Sequence, residues 1–311
     1  MKKIPSGILI ILVFILFPYE NILIAGVNPI EGNHKSWLRR NKTRKISNLR
    51  FSLDSIKTAY PQPFLTLHLG ASYTINTGNV QVNSGQIPGT KINVHEDLGF
   101  PKHPILLRAN VIFSFGNFHW ISFDTYNVNR RGTEIFDKDI KYGDTTFLAG
   151  NQVRSQLKLN YLNLSYINFF YDNGRSRAAF LLGITATIYS LRLSNRTFPD
   201  FNEKHNVFVP LPTIGFNAST YLNKRLLVLA VIKYSGWWSK NYNCNVLNIN
   251  PYFEYYLYKN FGIGMRYNYG FTSFKKLPEK KFNGSILNNF NAISVVLVYR
   301  FLKKGDKKTM Q

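Results

Sequence analysis

From residue 64 onward apolar side chains recur at every second position, and no segment of comparable length keeps a helical period. An extended chain sends successive side chains to opposite faces, so each such stretch reads as a strand with one oily and one polar side. Leu65, Leu67, Leu69, Ala71 and Tyr73 alternate with Thr66, His68, Gly70, Ser72 and Thr74. Ile105, Leu107, Ala109, Val111 and Phe113 oppose Arg108, Asn110 and Ser114, and Phe180, Leu182, Ile184, Ala186 and Ile188 oppose Gly183, Thr185, Thr187 and Tyr189. The same pattern puts Phe253, Tyr255 and Leu257 opposite Tyr252, Glu254 and Tyr256, and sets Ile263, Met265 and Tyr267 against Gly264, Arg266 and Asn268. Ile293, Val295, Leu297, Tyr299 and Phe301 oppose Ser294 and Arg300. The polar face of a soluble sandwich meets bulk water and is rich in Lys, Glu and Thr. Here it carries Gly, Ser, Asn, Tyr and isolated charges, which is how the inside of a narrow membrane barrel reads. The oily face ends in aromatic residues, among them Tyr234, Trp237, Trp238, Tyr299 and Phe301, as girdles at two membrane interfaces require.

The connections set the strand count. Strands are expected near 64–75, 104–115, 118–129, 157–171, 175–191, 209–222, 225–239, 245–258, 261–274 and 287–301, which makes ten, with eight or twelve as alternatives. Gly116-Asn117, Asp172-Asn173-Gly174, Asn223-Lys224 and Lys259-Asn260 make tight joints, whereas 76–103, 130–150, 192–208 and 275–286 are long. Short turns at one end and long loops at the other is the rule of outer-membrane barrels, with the short turns in the periplasm. The joint at 240–244 is shorter than its class. In the fourth strand Leu157 and Leu159 fall on the opposite phase from Leu162, Leu164 and Tyr166, which implies a bulge or a strand projecting above the membrane.

Composition narrows the class further. One cysteine among 311 residues excludes a disulfide scaffold, and Cys244 is given no role. Past residue 26 no apolar run approaches the ~18–20 residues that a membrane helix needs. Lys2 and Lys3, the apolar stretch Ile8 to Phe17, Pro18 and the small residues Ala25 and Gly26 have the layout of a secretory signal peptide over 1–26, an uncleaved anchor being the other reading. A basic periplasmic segment (27–60), the barrel (61–301) and a basic tail (302–311) would follow. The chain carries 39 Lys+Arg against 16 Asp+Glu, a net charge of +23. Its densest clusters are residues 39–45 and Lys303, Lys304, Lys307 and Lys308. Both clusters should face the periplasm, where they suit anionic outer-membrane lipid headgroups or periplasmic polymers, while Lys and Arg in the outer loops suit the phosphates of lipopolysaccharide. Aromatics confined to alternating faces offer no stacking platform for bases, so nucleic acid is not expected as a partner.

If the faces are assigned correctly, His68, Arg108, Asp124, Lys233, Glu254, Arg266 and Arg300 point inward. Enclosed charges are costly unless paired, so Arg108 is expected to pair with Asp124, and Glu254 with Arg266, in a polar plug. A narrow porin-like channel is the alternative. No Cys or His spacing suits a metal, Gly262-x-Gly264 lies in a strand with no following helix and is no dinucleotide loop, and no cofactor is expected. His119 and Ser122, three residues apart, fall on opposite faces of a strand and make no catalytic pair.

With these features, residues 61–301 resemble the small outer-membrane barrel proteins of Gram-negative bacteria, many of them uncharacterised. Ile293 to Phe301 resembles the C-terminal signal read by the barrel-assembly machinery, an implied partner; the tail beyond Phe301 departs from that pattern, in which the aromatic is usually last. Asn93 to Phe100 resembles an acidic Asp-Leu-Gly element of some members. The pairs Asp137-Lys138-Asp139 and Glu203-Lys204-His205 resemble the layout of omptins, ten-stranded surface proteases with an Asp-x-Asp and an Asp-x-His pair. That resemblance implies general-base hydrolysis by Asp137, Asp139, Glu203 and His205, with Glu203 standing where the family has Asp; solvated loop charges are the plainer reading. The expectation is therefore an all-β, antiparallel up-and-down transmembrane barrel in the cell outer membrane, structural or surface-interacting and without catalysis.

Overall fold

A computed structural model describes residues 62–101, 103–196, 202–239, 242–276 and 283–302. The signal peptide, the segment 27–60 and residues 303–311 lie outside the described residues. Ten long strands form the wall: β1 (Pro63–Val82), β3 (Ile105–Ser114), β4 (His119–Ile135), β7 (Gln152–Asp172), β8 (Ser176–Asn195), β9 (Asn202–Tyr221), β10 (Leu226–Ser239), β11 (Tyr242–Tyr256), β12 (Phe261–Lys276) and β13 (Gly284–Leu302). Each pairs antiparallel with its neighbour, and β13 returns to β1 over almost its whole length, from Pro63–Leu302 to Val82–Gly284. Leu302, placed at the head of the tail by the sequence reading, is thus the last residue of the wall. A closed cylinder leaves no unpaired edge, which is what permits strands to cross lipid. A two-residue strand β2 (Ile92–Asn93) pairs with β1, and β5 (Ile140–Tyr142) and β6 (Thr145–Phe147) form a separate hairpin.

The short turns are closed by their own side chains. Asn173 Oδ1 accepts from the amides of Arg175 (3.0 Å) and Ser176 (2.6 Å), and Gly174 adopts φ +79°. Asn223 Oδ1 accepts from the amides of Arg225 and Leu226 in the same way. With these turns in the periplasm, the longer connections face outward from the cell.

Crossing lipid takes ~9–11 residues of a tilted strand, yet β7, β8 and β9 run for 21, 20 and 20 residues. The excess projects beyond the membrane, and there the faces trade polarity. On the outside of β4, β7, β8 and β9, facing residues form lateral rows. Phe123, Leu164, Ile184 and Pro212 lie in one, and Arg131, Gln156, Arg192 and Lys204 in one further out. On the inside of β8 the order reverses: Thr185 and Thr187 give way to Tyr189, Leu191 and Leu193, all buried. Leu157 and Leu159 therefore face inward and Leu162 and Leu164 outward on one continuous, unbulged run of β7. The register shift in β7 lies elsewhere, between Phe169 and Tyr171 at the periplasmic end.

The projecting part encloses a hydrophobic core. Val80 and Val82 of β1, Leu191 and Leu193 of β8, Val207, Val209 and Leu211 of β9, Cys244 and Phe274 pack around Phe136, Ile140, Tyr142 and Phe147 of the β5–β6 region. The occlusion expected from polar side chains alone is thus completed, outside the membrane, by apolar ones.

Candidate functional site

The lumen is built by the inward residues of strands far apart in the chain. Near the periplasmic end, Glu254 of β11 is met by His68 Nε2 of β1 at 2.9 Å, by Arg300 Nη2 of β13 at 3.4 Å and by the Tyr256 hydroxyl. Arg300 Nη1 donates to the Tyr221 hydroxyl at 2.8 Å, and its guanidinium lies 3.6 Å from the centre of the Tyr256 ring. The expected pairing of Glu254 with Arg266 does not form. Glu254 faces Gly264 across the β11–β12 ladder while Arg266 faces Tyr252, and the guanidinium stacks on that ring at 4.3 Å.

Higher in the lumen Arg108 and Asp124 meet across the β3–β4 hairpin through two hydrogen bonds, one of them Arg108 Nε to Asp124 Oδ1 at 2.9 Å. Arg108 Nη1 reaches across to Asn268 Oδ1 at 2.7 Å. Lys233 Nζ donates to Asn163 Oδ1 at 2.6 Å, Asn163 Nδ2 donates to Thr185 Oγ1 at 2.9 Å, and Thr213 links Thr185 to Ser235. All seven inward residues named from the alternation point into this network. Thr185 and Asn268 were placed on a polar face but given no part in the network, and Asn163, Thr213, Ser235 and Tyr221 were not named, although each lies on its strand's polar phase. The missing signal was distance across the cylinder, which a period of two does not carry.

Two cavities, of about 60 and 40 Å³, remain between these side chains, and both are lined by Ile112, Ile167, Asn217 and Tyr252. The first extends towards the periplasmic turns, where its lining includes Arg177, which pairs with Asp172 at 3.0 Å. Towards the cell exterior the apolar core follows.

At the outer rim, His205 Nε2 and Glu203 Oε1 lie 3.0 Å apart on the inward phase of β9. Thr145 Oγ1 donates to the other Glu203 oxygen at 3.2 Å, Tyr142 packs edge-on against the imidazole with ring centres 5.0 Å apart, and a β-carbon at Gly143 would sit 2.7 Å from His205 Nε2. The β5–β6 tip thus covers the pair. Asp139 turns away to accept the Ala149 amide at 2.8 Å, and Asp137 is exposed. Burial, with Tyr189 and Glu203 nearby, holds the Tyr142 hydroxyl well above its ordinary pKa, so it stays neutral and donates to Leu191 O at 3.2 Å. His119 is exposed on the outside of the wall and Ser122 is buried inside, where its Oγ accepts from Asn110 Nδ2 at 2.9 Å.

The Asp-Leu-Gly element is a docking clip. Asp97 Oδ2 accepts the Asn93 amide at 2.6 Å, and Asn93 Oδ1 accepts the His95 amide at 3.0 Å. Leu98 and Phe100 drop into the apolar core, and Gly99 takes φ +63° between them. Asp97 Oδ1 also accepts from Lys138 Nζ at 3.2 Å, which raises the pKa of that exposed ammonium.

Solved structures share this architecture. The outer membrane protease OmpT from Escherichia coli aligns with a TM-score of 0.51 at 13% identity, covering 79% of this chain and all of that one. The fold is that of an outer-membrane β-barrel. The translocator domain of the autotransporter NalP from Neisseria meningitidis (TM-score 0.42, 10% identity, 85% of this chain and 97% of that one) is less similar. So is Ail of Yersinia pestis in complex with sucrose octasulfate (0.35, 11%, 76% and 99%). The sequence matches no protein-family model and no curated protein. This outer-membrane barrel wears its oily belt outward, with Leu69, Leu107, Leu164, Ile184, Ile214 and Val295 each half or more exposed to what must be lipid.

Proposed function

We propose that the barrel is a non-catalytic surface-interaction protein that presents a basic extracellular wall to the phosphates of lipopolysaccharide. The observation that carries this reading is the polarity of the outer rows. Directly beyond the lipid-facing belt, Arg131, Arg192 and Lys204 share one row, with Lys158 and Arg154 in the rows on either side. Arg131, Arg154 and Arg196 converge on one surface groove against Gly99 and Thr133. Guanidinium groups at the height where lipid A headgroups begin are well suited to bidentate phosphate contacts. The exposed alternation of Ile293, Val295, Leu297 and Tyr299 on β13, followed by the half-buried Phe301, supports recognition by the barrel-assembly machinery.

The test is retention on immobilised lipopolysaccharide. Removing two cations, at about 1 kcal/mol each, lowers affinity roughly 30-fold, so Arg131→Gln with Arg192→Gln is expected to release the barrel at lower salt than the parent. Binding that ignores both salt and these substitutions would refute the reading.

A hydrolase is the second reading, favoured by the Glu203–His205 pair on a fold shared with a protease. The cover of Tyr142 and Gly143 and the diversion of Asp139 speak for the non-catalytic one. Peptide cleavage by the purified barrel that His205→Ala abolishes would reverse this choice.

A further inference from the structure

The middle of the lumen holds more positive than negative charge. Its cavity of about 40 Å³ is lined by Arg108, Lys233 and Arg266 and by one carboxylate, Asp124. Asp124 is already engaged, since both of its oxygens face Arg108. Lys233 is 6% exposed, and its hydrogen-bond acceptor is the neutral Asn163. Arg266 is 5% exposed, stacks on Tyr252, and its Nε has no hydrogen-bond partner among the described residues. Neither cation forms an ion pair among the described residues, and the other buried carboxylate of the lumen, Glu254, is held by His68 and Arg300. One carboxylate, already held by Arg108, is thus left to offset three buried cations, and two of these have no ion-pair partner, which is among the more costly arrangements a protein interior can contain.

The space between them is of the right size and character to resolve this. It exceeds the ~10–15 Å³ of such volume that one water-sized guest requires, and it is edged by donors: three on an ammonium, five on each guanidinium, and the amide of Asn250. We propose that this cavity is an anion site, taking a small inorganic monovalent anion of the halide class between Lys233 and Arg266. Access is from the periplasmic side, through the neighbouring cavity that shares Asn217 and Tyr252, because the outer end is sealed by the apolar core. The site goes beyond the surface reading above and does not depend on it.

The experiment is thermal unfolding of the full barrel in detergent, followed by its heat-dependent gel mobility, with sodium bromide exchanged for sodium gluconate at constant ionic strength. The expected result is a saturable rise in the unfolding midpoint with bromide, lost in Lys233→Met with Arg266→Met and kept in Arg131→Gln with Arg192→Gln. A midpoint that follows ionic strength whatever the anion, or a bromide response that survives in Lys233→Met with Arg266→Met, overturns the proposal. If the charge variants do not fold, Asn250→Phe decides, since its ring fills the cavity and keeps every charge: loss of the bromide response supports the site and its persistence rejects it. In crystals soaked with bromide, an anomalous peak between Lys233 and Arg266 is expected, and its absence there at saturating bromide counts as rejection.

Discussion

Asp124 holds the Arg108 guanidinium in a lumen where the other hydrogen-bond partner of that cation is the amide oxygen of Asn268. Breaking a buried pair on one side leaves an uncompensated charge and costs ~3–5 kcal/mol, whereas replacing both partners by apolar residues is close to neutral. Asp124→Asn is therefore expected to lower the denaturant midpoint of the refolded barrel strongly, and Arg108→Met with Asp124→Leu much less. Equal losses in the two would show that the pair acts through packing and not through charge. Tyr142 gives a residue-scale dependence on pH. Its hydroxyl is favoured in the neutral form when folded, so its pKa is raised there over the unfolded value of ~10. The unfolded chain then binds fewer protons than the folded one as pH rises past that value. The contribution is complete below pH ~10 and is lost progressively above it. Protease sensitivity of the β5–β6 cap is expected to climb above that pH, and Tyr142→Phe should flatten the rise.

At the scale of elements, the loop from Asn83 to Pro104 is fastened by the clip at Asp97 to Phe100 and by the wall itself. Gly132 of β4 lies against the carbonyl oxygens of Leu98 and Gly99, and a β-carbon there would overlap both. Gly132→Val is expected to lift the loop from the wall without opening the cylinder, because backbone oxygens give way less readily than side-chain ends. Limited proteolysis between residues 83 and 104 should accelerate several-fold while heat-dependent mobility is retained; an unchanged cleavage rate would mean that the loop is held by Leu98 and Phe100 alone. The change of phase along β7 and β8 belongs to this scale too. A strand in lipid must turn its oily side outward, and the same strand above lipid must turn it inward, so a continuous run such as Leu157 to Leu164 changes its polarity rule without changing its geometry.

As a whole, the molecule is a cylinder filled twice over. Ion pairs and hydroxyl ladders occupy the part within the membrane, and an apolar core with the β5–β6 hairpin closes the part beyond it. Ten strands enclose little more than their own side chains. No steps of conductance are expected in planar bilayers at low voltage, and open-channel currents of porin size would contradict the packing of Phe136, Tyr142 and Phe147.

The alternation showed that the chain is a barrel in lipid and which residues face its centre, and the turn lengths pointed to ten strands with eight or twelve left open, because a period of two and the lengths of turns are local properties of a chain; closure of β13 on β1 decided the number. The alternation also marked Leu157 and Leu159 as out of phase, which is where the inner face of the wall turns from polar to apolar. Which inward charge meets which was decided only in three dimensions. Glu254 and Arg266 are close along a hairpin, yet Glu254 joins His68 of β1 and Arg300 of β13, strands that do not pair with its own and reach it only across the lumen of the closed sheet. The cover over Glu203 and His205 likewise comes from a hairpin some sixty residues away, whose docking depends on an enclosed apolar volume that no stretch of sequence contains by itself.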